Sequence, residues 1–369
     1  MDQLFTRIPE KCGILPGYFY LTSPKVYKTI SVVQFLCVVG ISLYPCVIMI
    51  KGISNNEYHG ALKNYTILSI FSEILAASLL TTMLYANVLY PHDFIEIKTH
   101  FDKINTILKK QNIVLTENWE LAKYLLFHIV IIVLNGISFY IYNGNGWTYT
   151  IISIWVLYIR QVEVAIAWRI LEDIRLRLKA INSLIRFKDD SNFESLTISN
   201  KFQNNILNII EAHNCITKII KLFNKLFGIY IILITLWFIL ELLAIVYGVV
   251  ADITDHDLEK QYVDIFLAST HVMCWLVFVI KAQQLIDEGK RSIEVTFDTT
   301  YHALRSNNTS AKWKEEMAHL TLCVLTNTPQ FSASNFYIVE YSSIFTIFNM
   351  MTGYIIVAVQ FANSFRSTD

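Results

Sequence analysis

The sequence predicts an all-α membrane protein of seven transmembrane helices, with a cytoplasmic N-terminus, an extracellular C-terminus and long helices extending into a cytoplasmic anchor. Three observations carry this expectation. Of the 369 residues, 54% are hydrophobic and 16% charged, against about 25% charged in ordinary soluble domains. Seven stretches are apolar over the roughly 20 residues that a spanning helix needs. The lysines and arginines collect on alternate sides of those stretches, as they do when one side is cytoplasmic.

The predicted order is a cytoplasmic tail over 1–28, spans one to four within 29–168, a cytoplasmic helical loop over 169–226, and spans five and six within 227–280. A second cytoplasmic helical segment follows over 281–335, then the last span over 336–361 and a short extracellular tail over 362–369. Individual spans fall at about 29–50, 66–89, 124–142, 147–168, 227–250, 263–280 and 336–361. The first run carries no charge from Thr29 to Ile50, and the last none from Tyr341 to Phe365. The fourth is interrupted by Arg160 and Glu163, one turn apart, which can pair with each other or reach the cytoplasmic face. The first apolar run is of full spanning length, so no cleavable signal peptide is expected.

Orientation follows from the flanks. The N-terminal tail holds four Lys and Arg, and the second, fourth and sixth loops hold five, ten and six. The first, third and fifth loops hold two, none and one, and the C-terminal tail one. This arrangement is opposite to that of G-protein-coupled receptors, and neither Asp-Arg-Tyr nor Asn-Pro-x-x-Tyr occurs in the chain. A net charge of zero gives no field for nucleic acid. Six cysteines without a C-x-x-C pair and scattered histidines give no metal site. No phosphate-binding loop or zinc-protease motif is present, so neither an enzyme nor a cofactor is expected.

The long loops read as helices. Ile170, Ile174, Leu178, Ile181 and Ile185 form one apolar stripe. Phe202, Ile206, Ile209, His213, Ile216, Ile220 and Phe223 form a second that leads into the fifth span, with Asp189-Asp190-Ser191-Asn192 as the turn between them. Trp313, Met317, Leu320 and Val324 form a third. Such stripes lie on a membrane surface or pack together as a bundle; short helices with narrow stripes favour the bundle.

Polar groups within spans call for an explanation. Glu73, Trp155, Glu241 and His271 each lie roughly 10–14 Å from the predicted outer end of their span. Ser69, Asn135, Tyr158, Tyr247, Ser269 and Thr270 lie in or near the same zone. Two readings stand: an apolar pocket open to the outside with a few convergent polar groups, or hydrogen bonds between helices among Glu73, Glu241 and His271. Burial raises a carboxyl pKa, so Glu73 and Glu241 can be neutral.

The last span ends Tyr354, then Ile-Ile-Val-Ala-Val, then Gln360-Phe361. This resembles the closing motif of insect gustatory receptors, in which Thr-Tyr, five apolar residues and Gln-Phe follow one another; Gly353 stands here in place of Thr. Pro329-Gln-Phe-Ser-Ala-Ser-Asn-Phe-Tyr337 is similar to the segment that precedes the family's last span. With seven spans and an inside N-terminus, the resemblance covers the chain end to end.

The resemblance implies a ligand-gated, non-selective cation channel of four subunits, related to insect odorant receptors, in the plasma membrane of sensory neurons. It implies that the last span of each subunit lines one pore, with Val357 and Phe361 as an apolar gate and Gln360 lining it. Gly353, which lacks the hydroxyl of the family's Thr, extends that face one turn earlier. It further implies that a small-molecule tastant binds in the outer half of each helix bundle. The implied partners are that tastant, permeating monovalent and divalent cations, membrane lipid, and three further copies or related receptors in a heteromer. An aromatic-rich zone poor in acid-amide clusters points to a bitter plant metabolite. A sugar-responsive member of the same fold is the alternative within the family. Outside it stands an inverted seven-span receptor or transporter without its own pore.

Overall fold

The computed structural model describes residues 24–55, 66–68, 70–71, 74–75, 78, 89–111, 113, 133, 147–185, 196–250, 258–305 and 311–366; some side chains within these helices are not described. The turn expected at 189–192 lies outside the described residues. Among the described residues the architecture is helical, with one two-stranded hairpin. The helices are α1 (Pro24–Ser54), α2 (Pro91–Lys110), α3 (Trp147–Ile185), α4 (Leu196–Val250), α5 (Leu258–Arg305), α6 (Ala311–Thr326) and α7 (Tyr341–Arg366). The hairpin joins β1 (Ser332–Ala333) to β2 (Tyr337–Ile338) between α6 and α7.

Three helices are far longer than a span. At about 1.5 Å per residue α3, α4 and α5 measure roughly 60, 80 and 70 Å, against a hydrocarbon core of about 30 Å. Each apolar run therefore continues without a break into a more polar, amphipathic stretch. The composition permits this, because no proline occurs between Pro91 and Pro329, and proline is the residue that interrupts a helix ladder. At Pro329 the helical run does stop: α6 ends at Thr326 and the chain turns into the hairpin.

The amphipathic stripes bury one another. Ile174, Leu178, Ile181 and Ile185 of α3 are buried, as are Ile206, Ile209, Ile216, Ile220 and Phe223 of α4 and Trp313, Met317, Leu320 and Val324 of α6. Together they form one continuous apolar core, in which α3 packs on α5, α2 on α4, and α6 on both α4 and α5. Aromatic rings knit the α4 part of it: Phe223 stacks on Phe227 at 4.7 Å between centroids, and Phe94 of α2 meets Phe227 edge-on at 6.1 Å.

Helix α2 was not singled out by the apolar-stripe reading, yet its boundaries are well signposted. Pro91 opens the first turn, Asp93 lies in that turn and Lys109 and Lys110 lie in the last, each at the helix end its charge or geometry favours. Phe94, Ile97, Ile104, Ile107 and Leu108 are its buried face. Two ion pairs clamp it to α4, Lys103–Glu211 and Lys225–Asp93, both at 2.6 Å. Lys225 also lies over the Tyr90 ring, 4.6 Å from its centroid.

Buried polar groups set the register of α3 against its neighbours. Asn182 Nδ2 donates to the Glu288 carboxylate at 2.8 Å, and Ser292 donates to Asn182 Oδ1 at 2.7 Å, tying α3 to α5. Arg177 donates to Asn105 Oδ1 at 3.1 Å and lies over the Phe101 ring, tying α3 to α2. Glu172 accepts from Arg175 at 3.1 Å and from Lys281 of α5 at 2.9 Å. Burial pushes the Glu172 carboxyl up, but hydrogen bonds and charge from Arg175 and Lys281 outweigh it and hold the group below its ordinary value.

Candidate functional site

Helix α7 has two unlike faces, and its sequence dictates both. Ser343, Ile347 and Met351, spaced four apart, are buried where α7 packs on α4 and α5. Much of the rest of the described circumference is exposed in the single chain: Phe345 is 75% exposed, Ile356 53% and Val357 46%. An apolar helix face left open this way needs lipid or protein against it. Within it, Asn349, Gly353, Ile356 and Gln360 recur at i, i+4, i+7 and i+11, one stripe of a helix, and all four are exposed. A Cβ added at Gly353 would meet nothing within 4 Å.

This stripe carries amides and no charge. Amide oxygens can stand in for the hydration shell of a cation, while apolar rings beside them close by excluding water. Gly353, Val357 and Gln360 thus share the open side of α7. Phe361 lies on the same helix, but its side chain is not among those described. Asn349 belongs with them and was missed from sequence, although its four-residue spacing to Gly353 was there to be read.

The start of α7 is fixed by the segment that precedes it. The Tyr341 backbone N–H donates to Gln283 Oε1 of α5 at 3.0 Å, and the Ser343 hydroxyl accepts from the Glu340 N–H at 3.1 Å, which caps the helix. The hairpin lies on α4. Asn224 donates to the Gln330 carbonyl at 2.9 Å and accepts from the Ser332 N–H at 3.3 Å. Phe331 is fully buried, edge-on to Phe223 at 5.7 Å. Two glycines let the backbone approach: a Cβ on Gly228 would lie 2.7 Å from Ser334 N, and one on Gly289 would lie 2.6 Å from the Pro329 ring. Ser334 and Asn335 turn the hairpin at φ 48° and 62°, the left-handed region that Asn tolerates best among side-chain-bearing residues.

The intramembrane residues predicted to form a ligand zone are placed only by backbone. Trp155 and Tyr158 lie on α3, Glu241 and Tyr247 on α4, and Thr270 and His271 on α5, with their side chains outside the described set. Ser69, Glu73 and Asn135 lie outside the described residues altogether. Below that zone the described side chains are tightly packed. Trp275 stacks on Phe238 with 5.4 Å between ring centroids, and its indole N–H donates to Thr235 at 3.1 Å.

Among the described residues no group of His, Cys, Asp and Glu could hold a metal ion. Residues 12–364 match the family described as 7tm Chemosensory receptor. The fold is similar to that of the insect olfactory receptor OR5 from Machilis hrabei, with a TM-score of 0.58 at 11% identity over 97% of this chain and 98% of that one. The same receptor in complex with eugenol superposes with a TM-score of 0.59 at 11% identity and equal coverage. No curated protein matches the chain in sequence.

Proposed function

We propose, from the premise that this chain belongs to the 7tm chemosensory receptor family, that it is a gustatory receptor acting as a tastant-gated, non-selective cation channel. The family is one of multi-pass membrane receptors, not of enzymes. The observation that carries the channel reading is the open face of α7. It presents Asn349, Gly353 and Gln360 with Val357 beside them, uncharged and exposed in the single chain.

In this reading four copies bring their α7 helices to a shared axis, where Val357 and Phe361 form the closing ring and the amides line the path. The N-terminus is cytoplasmic, and the amphipathic halves of α3, α4 and α5 form the anchor with α2 and α6. The tastant occupies the zone marked by Ser69, Glu73, Asn135, Trp155, Tyr158, Glu241, Tyr247, Thr270 and His271. Eugenol, bound by the structurally similar receptor, is a small aromatic phenol. An aromatic-rich zone suits ligands of that kind, which supports a bitter plant metabolite over a sugar.

The test is whole-cell recording from cells expressing the receptor, with a panel of plant metabolites and sugars. A ligand-evoked cation current is expected. Gln360→Ala and Asn349→Ala are each expected to alter its conductance or cation selectivity, with surface expression unchanged. A receptor that reaches the surface and binds a panel compound without passing current overturns the channel reading.

A further inference from the structure

Three elements meet on a single buried hydroxyl. Thr235 is on α4, Trp275 on α5 and Tyr337 in β2, four residues before α7 begins. The Trp275 indole N–H donates to Thr235 Oγ1 at 3.1 Å, and the Thr235 and Tyr337 hydroxyl oxygens are 2.7 Å apart. Donating its one proton to the Ile231 carbonyl, 2.8 Å away, is the arrangement that satisfies every partner of the Thr235 hydroxyl at once. Its two lone pairs are what remain, one for Trp275 and one for Tyr337. Tyr337 is therefore the donor, and the oxygen is saturated.

Thr235 and Trp275 are both buried. A fully satisfied buried node has one geometry, and breaking one arm leaves polar groups stranded in a low dielectric. The node also has a telling position along the chain. Glu241 follows Thr235 by less than two helical turns on α4, and His271 precedes Trp275 by about one turn on α5. The two helices that carry much of the candidate ligand zone are thus joined, just below it, to the segment that leads into α7.

We propose that Thr235 is a positioning residue that couples α4 and α5 to the pore helix through Tyr337. This rests on the channel reading. A gate of apolar rings stays non-conducting only while the rings are held tight. Loosening α7 at its start broadens its range of positions, and only the widening excursions conduct. Losing the node therefore raises the ligand-free current.

The test uses the full-length receptor with Thr235→Val, Tyr337→Phe, the double variant and Thr235→Ser. Ligand-free cation current per surface receptor is measured by patch recording, and amide exchange over residues 337–351 by mass spectrometry on purified protein. Tyr337→Phe should raise the current about fivefold, the factor that the net worth of one hydrogen bond gives, and Thr235→Val, which strands Trp275 as well, at least as much. The double variant should leak no more than the leakier single variant, and both singles should exchange faster over 337–351. Thr235→Ser, which keeps the oxygen, should behave as wild type. Wild-type current and exchange in Tyr337→Phe, or a serine variant as leaky as the valine, overturns the proposal. If Thr235→Val does not reach the surface, Tyr337→Phe, which removes one oxygen atom, decides alone. If neither wild type nor Val357→Ala passes cations, the channel reading fails, and the node is judged on exchange: unchanged protection in Tyr337→Phe removes it.

Discussion

His213 shows how an apolar stripe can carry a titratable group. It takes its turn in the α4 stripe and is 1% exposed, and neither ring nitrogen is hydrogen-bonded among the described residues. Burial lowers its pKa to about 4. The unfolded chain takes up a proton as pH falls through about 6.5, while the folded chain does not until about 4. Stability is accordingly independent of this group above the unfolded value and is lost progressively as pH falls between the two. Unfolding of the solubilised receptor at about pH 7.5 and about pH 5 should differ by about 2 kcal/mol on this account. His213→Leu should flatten that difference and leave the protein no less stable at the higher pH. An unchanged pH dependence in His213→Leu would show that the ring is solvated or paired.

At the scale of elements, the joint between α6 and α7 is held by close backbone contacts. Gly228 and Gly289 are mid-helix residues, where alanine would ordinarily gain about 1 kcal/mol in helix propensity. At Gly228 the gain is outweighed, because the new Cβ would meet the Ser334 backbone nitrogen at 2.7 Å and a docked backbone cannot swing aside. Gly228→Ala is expected to cost about 1–3 kcal/mol, read as a lower melting temperature. Gly353→Ala, with open space around it, should not lower it; equal melting of both variants would mean that the hairpin does not rest on α4. The segment Pro329–Tyr337 was recognisable in sequence as a family signature, but not as a hairpin. Its strands are two residues each, too short for an alternation pattern. What holds them is a set of contacts from α4, more than 100 residues away in sequence, such as Asn224 with Gln330.

The whole molecule presents an imbalance that one chain cannot resolve. A buried face of α7 lies on α4 and α5 while its other sides expose Phe345, Met350, Tyr354, Ile356 and Val357. Lipid can cover apolar area of that kind, and under the channel reading a closed ring of copies covers the amides as well. The solubilised receptor is expected to be a tetramer with fourfold symmetry and α7 at the axis, seen directly in particle images. A monodisperse monomer that still passes ligand-evoked current in reconstituted vesicles would defeat that expectation.

The sequence by itself determined the class of structure, because membrane thickness and helix period act on residues one segment at a time. Long apolar runs marked the expected spans, and three- and four-residue spacing marked the stripes of α3, α4 and α6, most of whose described residues are buried. Residues 353, 357 and 361 could be grouped on one helix face for the same local reason. Tertiary structure decided what local pattern cannot encode. The merging of spans with loops into helices of 39, 55 and 48 residues depends on the partner helices that their described residues pack against. The saturation of Thr235 by Trp275 and Tyr337 depends on three elements meeting, 40 and 102 residues away along the chain. A hydroxyl's role is fixed by which donors reach its lone pairs, and only the folded chain brings them there.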